Sequence, residues 1–390
     1  GSVGQADNPI LIHSSNSGKG SLSAAAATGV WSTQTVGDLY VTQARTTAGD
    51  VILSAAAGAN VVNMGGIVST RSANATVKIQ ATDQVVVETG GTVMAGADFD
   101  HSSGSPVPYE TGAGANVIMI SPHEMFVGGS VIASNQIQLA AGKPNADHGD
   151  YFKALPAGSY LARESQYSLL MTGTLTTLAA DSQLKIATPD SVILRGNIDV
   201  RGDRSDLVVQ SDSWIYGEGA LSARRGITLL GGVDSQGTDL AGANQYGASV
   251  YLDTTSRLKT SEEGGQIVVR GSRDVFLRGT AVAGGTVGTN GVTWDAAGAE
   301  ISVDAGQQAF IDGALLASGS VEVRGGKPGG ANDRQMHVVV GTAGGLTAGG
   351  LGLNHTGGHV GIFSAGNLQM MGHVLSGGRV DGGQIVWSDR

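Results

Sequence analysis

Cysteine is absent from the 390 residues, so neither disulfides nor thiolate metal sites hold this chain together. Charged side chains make up only 14% of it, against about a quarter in an ordinary domain. The small excess of acids leaves a net charge of −10. That excludes nucleic acid as the expected partner, because phosphate binding needs concentrated Lys and Arg. No apolar run is long enough for a membrane-spanning helix. Aromatic residues are scarce, at 5%, so any core must be thin and filled by small side chains. Sustained 3.6-residue periodicity is missing as well; the best stretches, 23–28 and 162–170, do not keep it.

Glycine and aliphatic residues are what remains. Gly supplies 63 positions, about twice the usual share, while 41% of the chain is hydrophobic. A disordered Gly-rich linker would lack those apolar residues. Together the two describe many short strands joined by tight turns.

One phrase recurs: a β-branched strand, a break, a second apolar strand, a Gly, then a third short strand. Val77 to Ala81, Val85 to Val87 and Gly90 to Ala95 make one copy, and Leu184 to Ala187, Val192 to Leu194, Gly196 and Ile198 to Val200 another. Further copies follow from Gln266, Glu300 and His359. With the middle Gly as register mark, the column reads Gly37, Gly65, Gly90, Gly128, Gly173, Gly196, Gly217, Gly279, Gly313 and Gly372, with weaker copies near Thr260 and Gly349. The shorter spacings, about 20–25 residues, are those of β-helix coils, and the longer ones read as a coil carrying an insertion. The expected fold is all-β: one continuous right-handed parallel β-helix over 1–390, with about 10–13 coils of ~20–25 residues. Its corner glycines Gly65, Gly90, Gly128, Gly196, Gly217, Gly279, Gly313 and Gly372 would supply positive φ or a tight bend. Insertions at 95–114, 142–158, 231–247, 284–298 and 325–334 are rich in turn residues and are expected on one face. A propeller, with about 40–45 residues per blade, is the competing architecture, and the short spacings fit it poorly. Strand-like sequence near both ends, Pro9 to His13 and Gln384 to Arg390, reads as a segment of a longer array.

Three phrases, Ala48-Gly49-Asp50-Val51-Ile52-Leu53-Ser54-Ala55, Gly90-Gly91-Thr92-Val93-Met94-Ala95 and Ala365-Gly366-Asn367-Leu368-Gln369-Met370, resemble the filamentous haemagglutinin family of giant secreted adhesins. The likeness is a pattern of Gly-Asp or Gly-Asn turns followed by short strands, spread over roughly 30–390. It implies export to the cell surface, a right-handed coil, and an attachment or matrix role. The family's Asn-rich secretion signature is not evident.

Possible sites are sparse. Asp98, Asp100 and His101 lie in one insertion and Asp147, His148 and Asp150 in another. If both insertions leave the same face, these groups could converge, either as carboxylates for glycosidic acid–base work or as a Ca²⁺ site. Equally, they are ordinary solvated loop residues. Arg201-Gly202-Asp203 matches an integrin-type attachment tripeptide, or simply a coil corner. His355 and His359 have zinc-like spacing, but the glycines between them forbid the helix that spacing needs. Arg195, Arg224, Arg225, Arg270, Arg273 and Arg278 cluster in sequence, yet Asp199, Asp203, Asp206, Glu262, Glu263 and Asp274 interleave them. The expected role is therefore a non-enzymatic extracellular scaffold or adhesin, needing no cofactor. It would meet other segments of the same protein, glycan or a host surface through its insertions. A carbohydrate-active β-helix enzyme is the alternative, and it should bring two or three carboxylates together on adjacent coils.

Overall fold

The computed structural model describes residues 1–13, 20–102, 104–143, 167–233, 238, 249–289, 291–326, 336–349, 358–376, 378–381 and 384–387. Every regular element among them is a β-strand. The chain divides into two compact units, Gly1–Gly202 and Asp203–Arg390. Each unit is a parallel β-helix whose coils present a first, a second and a third strand in turn.

In the first unit the first strands are Ile10–Ile12, Val30–Gln34, Val51–Ala55, Thr76–Ala81, Asn116–Ser121, Gln136–Ala141 and Gln183–Thr188, stacked in parallel in that order. Alternation decides which side chains face in. Val30, Val51, Val77, Val117, Ile137 and Leu184 lie in register from coil to coil, and all are fully buried. Leu53, Ile79, Met119, Leu139 and Ile186 form a second buried column beside them. Lys78 and Gln80 point outward between them and are half-buried. Each Val, Ile or Leu so enclosed contributes roughly 1.5–3 kcal/mol, which a lone coil could not supply. The second unit repeats the scheme with Leu207, Ile227, Ile267, Ile301 and Val321.

Glycine recurs at two corners for two different reasons. Between the second and third strands, each coil places a backbone carbonyl along the stacking direction. Gly91, Gly129 and Gly173 accept from Ser130, Thr174 and Asn197 (2.9, 2.9 and 3.0 Å), and Gly279, Gly313 and Gly344 accept from Ala314, Gly345 and His373 (3.1, 3.0 and 3.1 Å). A Cβ on Gly129, Gly173, Gly196, Gly313 or Gly372 would come within 3.0 Å of the carbonyl oxygen of Gly91, Gly129, Gly173, Gly279 or Gly344 respectively, closer than side-chain carbons come. The glycine column of this corner therefore answers close coil-to-coil approach. Of the two reasons expected for these glycines, positive φ or a tight bend, positive φ holds at only part of the column. Gly37, Gly65 and Gly90 of the expected marks have it; Gly128, Gly196, Gly217, Gly279, Gly313 and Gly372 do not. The column itself passes through Gly66, Gly91 and Gly129, one residue after Gly65, Gly90 and Gly128, and Gly219 rather than Gly217 directly precedes the third strand Ala220–Ala223.

The left-handed corner lies elsewhere, two residues before a first strand. Gly49, Asn74, Gly114 and Asp181 in the first unit, and Arg204, Gly264 and Gly298 in the second, all have φ between 55° and 111°. Gly, Asn and Asp tolerate that region and explain most of the set. Ala48-Gly49-Asp50 and its counterparts are thus turns that launch the first strands of these seven coils.

Insertions leave at two corners, not along one face as expected. The stretches 95–114 and 284–298 follow third strands, while 142–158, 231–247 and 325–334 follow first strands. The two that follow third strands fold as antiparallel hairpins, Ala97–Asp100 with Val107–Glu110 and Gly285–Gly288 with Gly291–Trp294. Both use one closing device. Gly96 and Gly284 enter with positive φ, and their carbonyls accept from Thr111 (2.8 Å) and Gly112 (3.2 Å), and from Asp295 (2.8 Å) and Ala296 (3.0 Å). The buried hydroxyls of Ser134 and Ser318, one coil on, then receive the amides of Ala115 (2.9 Å) and Ala299 (3.1 Å). Phe99 of the first hairpin packs with the outward-facing Met94 and Ile132, covering an apolar patch on its own coils.

Candidate functional site

The most organised outer surface belongs to the second unit. The central residues of successive second strands, Tyr216, Tyr251, Phe276 and Phe310, lie in register and point outward, half-buried. Tyr216 and Tyr251 stack with centroids 5.3 Å apart and planes within 8°. Tyr251–Phe276 and Phe276–Phe310 follow at 5.9 and 6.1 Å, tilted by 43° and 45°. Each such pair adds roughly 0.5–1.5 kcal/mol beyond area burial.

A charged row flanks the rings where each coil turns: Glu218, Asp253, Arg278 and Asp312. The Tyr216 hydroxyl lies 2.8 Å from Glu218 Oε1 and 3.4 Å from Asp253 Oδ2, so carboxylates of two adjacent coils meet at one phenol. Arg278 donates to the Tyr251 hydroxyl at 3.0 Å and stands 3.9 Å from Asp253 Oδ1. Asp312 accepts from the amide of Ala343 at 3.2 Å. Burial first, then the hydrogen bond and charge of Glu218 and the charge of Asp253, push the Tyr216 phenol well above its ordinary range. It keeps its proton at neutral pH and works as a donor, not a base. The hydrogen bond to Tyr251 and the nearby Asp253 and Asp312 carboxylates hold Arg278 firmly charged. The row therefore offers three carboxylates and one guanidinium over an aromatic strip, a surface suited to hydroxyl-rich or cationic groups.

The sequence-predicted residues fare differently. Asp98 forms an ion pair with Arg71, and its Oδ1 accepts from the Phe99 amide at 2.9 Å. Asp100 accepts from both the amide and the hydroxyl of Ser102, at 2.8 and 2.9 Å, and these bonds hold its carboxyl below the usual range. That is a local turn within one hairpin. The His101 ring lies 6.2 Å from Phe99. Asp147, His148 and Asp150 lie outside the described residues, as does His355. Among the described residues no three His, Asp or Glu side chains form a group able to hold a metal ion. Arg201 bonds Asp199 at 2.6 Å, and Asp203 receives the Arg224 guanidinium at 2.9 Å. Both charges of the Arg201-Gly202-Asp203 tripeptide are thus engaged by their own units, and Gly202 packs against the Ala179 carbonyl with no room for a side chain. Arg224 pairs with Asp203, Arg225 with Asp206 and Arg273 with Asp274, so much of the arginine-rich stretch is engaged in ion pairs.

The aromatic row was missed in the sequence. Its signal is one aromatic in the middle of Ile215–Gly217, Val250–Leu252, Val275–Leu277 and Ala309–Ile311, visible only once the second strands are aligned. Comparison of the chain with protein-family models, curated proteins and solved structures gives no match.

Proposed function

We propose that this chain is a structural and adhesive scaffold working outside a bacterial cell, in the manner of the filamentous haemagglutinin-like adhesins, and that it contacts glycan. The observation behind this reading is the outer row of the second unit. Its polar groups tie one coil to the next through Tyr216, Glu218, Asp253, Arg278 and Tyr251. Such a surface stays rigid while offering carboxylates and a guanidinium to sugar hydroxyls. Immobilised protein should retain polysaccharides from a panel of neutral, acidic and amino sugars. Retention should fall in Arg278→Ala and in the pair Glu218→Gln with Asp253→Asn. An unaltered protein that retains none of them would remove the adhesive reading.

A second reading, a polysaccharide-cleaving enzyme, draws on the approach of Glu218 and Asp253 to one phenol. Two carboxylates near one another are what glycosidic acid–base chemistry uses. The same panel decides it: release of new reducing ends, abolished by either single carboxamide substitution, would favour catalysis over attachment.

A further inference from the structure

The charged row beside the aromatic strip has a step length and a net charge that narrow what it can hold. Glu218, Asp253, Arg278 and Asp312 directly follow Gly217, Leu252, Leu277 and Ile311, which lie in register on four successive coils. Their Cα atoms therefore step by about 4.8 Å, one residue per coil. The next coil puts Gly341 after Val340, and the charged row ends there. Open ring faces are not what this surface offers. Tyr251 has Tyr216 stacked at 5.3 Å on one side and Phe276 at 5.9 Å on the other. A sugar laid along the strip meets ring edges, so recognition passes to the polar row. That row carries three carboxylates against one guanidinium, and the guanidinium already donates to the Tyr251 hydroxyl at 3.0 Å. Glu218 and Asp253, on adjacent coils, converge on the Tyr216 hydroxyl at 2.8 and 3.4 Å. A phenol has one proton to donate and leaves both negative charges in place.

We propose that the ligand of this row is a cationic polysaccharide, an extended 1,4-linked chain of amino sugars lying along the coil axis with its ammonium groups at Glu218 and Asp253. The inference rests on the glycan-contact reading and names the class of glycan. Step length supports it, because one pyranose of an extended 1,4-linked chain advances by close to one coil. Charge selects the amine. An ammonium group donates up to three hydrogen bonds and serves carboxylates on two coils at once. Uronate or sulfate groups would meet the same carboxylates as like charges, and like charges facing each other exclude wrong partners. A neutral sugar leaves the excess negative charge unanswered.

Calorimetric titration of the full chain tests it, with β-1,4-linked tetramers of glucosamine, N-acetylglucosamine, glucose and mannuronic acid as probes. The glucosamine tetramer should bind about tenfold more tightly than the N-acetylated and neutral ones, and the mannuronic acid tetramer most weakly. Added salt should erode that preference. Affinity for the glucosamine series should climb from dimer to tetramer and gain little beyond it, since the charged row spans four coils. These measurements use the unaltered protein and are free of folding artefacts. Glu218→Gln with Asp253→Asn should then remove the preference for the amine. Equal or tighter binding of a neutral or acidic tetramer, no gain from dimer to tetramer, or a preference that survives the double substitution would overturn this inference and leave the glycan reading standing. Failure of every probe to bind would remove both.

Discussion

The carbonyl oxygen of Gly173 fills the space where a side-chain carbon of Gly196, one coil further on, would have to begin. The same carbonyl receives the Asn197 amide at 3.0 Å, so it cannot turn away without breaking the ladder. Gly196→Ala and Gly313→Ala should each destabilise by about 1–3 kcal/mol through overpacking. Gly65 has open space but a φ of +70°, so Gly65→Ala should cost only about 1–2 kcal/mol, from left-handed strain. Asn separates the causes, because it tolerates positive φ but not a backbone clash. In urea titrations Gly65→Asn should recover much of the loss and Gly196→Asn none of it. Equal behaviour at both positions would contradict the distinction between left-handed strain at Gly65 and the carbonyl clash at Gly196.

Ser134 and Ser318 should matter more than small polar residues usually do. Each hydroxyl receives the amide that closes a hairpin, and Ser134 also donates to the Gly112 carbonyl at 2.7 Å. Replacement by Ala leaves a buried amide without its acceptor, at about 1–3 kcal/mol. Hydrogen exchange should quicken at Ala115 in Ser134→Ala and at Ala299 in Ser318→Ala. Exchange unchanged at both amides would mean that the hydroxyls do not close the hairpins.

The period and the inward columns were legible because alternation and stacking act on every coil alike. Val77 and Ile79 announce their burial from sequence alone. The glycine column was read one residue early at Gly65, Gly90 and Gly128 because neighbouring glycines look equivalent in a string. Only the position of the next coil's carbonyl tells them apart. The placing of the insertions on one face failed for a related reason: loops after first and third strands have the same composition, and composition does not record which corner they leave. The acidic insertion residues looked like a site because Asp and His are versatile, yet Asp98 and Asp100 are taken up by Arg71 and Ser102. The aromatic row comes from side chains on four separate coils, and no short motif holds it.

Asp274 gives the fold a dependence on mild acid. Its carboxyl is buried, and that burial raises its pKa against the opposing pull of Arg273 and of the Gln308 amide. A raised acid binds its proton more tightly in the folded state. The stability it contributes is therefore full below the unfolded value, near 3.9, and is lost as pH climbs through the folded one. Asp274→Asn keeps an oxygen for the Gln308 amide and carries no charge at any pH. The variant should match or exceed the parent in thermal stability at neutral pH, and the difference should shrink on acidification. A variant clearly weaker than the parent at neutral pH would show that the Arg273 ion pair outweighs the cost of burying the charge.

Tyrosine ionisation supplies the alkaline counterpart. Burial, partly offset by the Arg195 charge, pushes the Tyr167 phenol up to about 12, and Tyr216 is raised further by burial and its carboxylate neighbours. Both are acids whose folded pKa exceeds the unfolded value near 10. Their contribution is thus complete below 10 and disappears as pH rises through the folded values. Ultraviolet titration of the tyrosines should show a delayed step near 12, with Tyr216 last and accompanied by loss of the sheet signal in circular dichroism. Tyr167→Phe should delete the step near 12 while the others stay, because its ring packs in the same place without a proton to lose. Tyr216→Phe should delay the loss of sheet structure and release Glu218 and Asp253 from their shared donor. If all the phenols ionised together near 10 in a chain that stayed folded, neither ring could be as enclosed as it stands here.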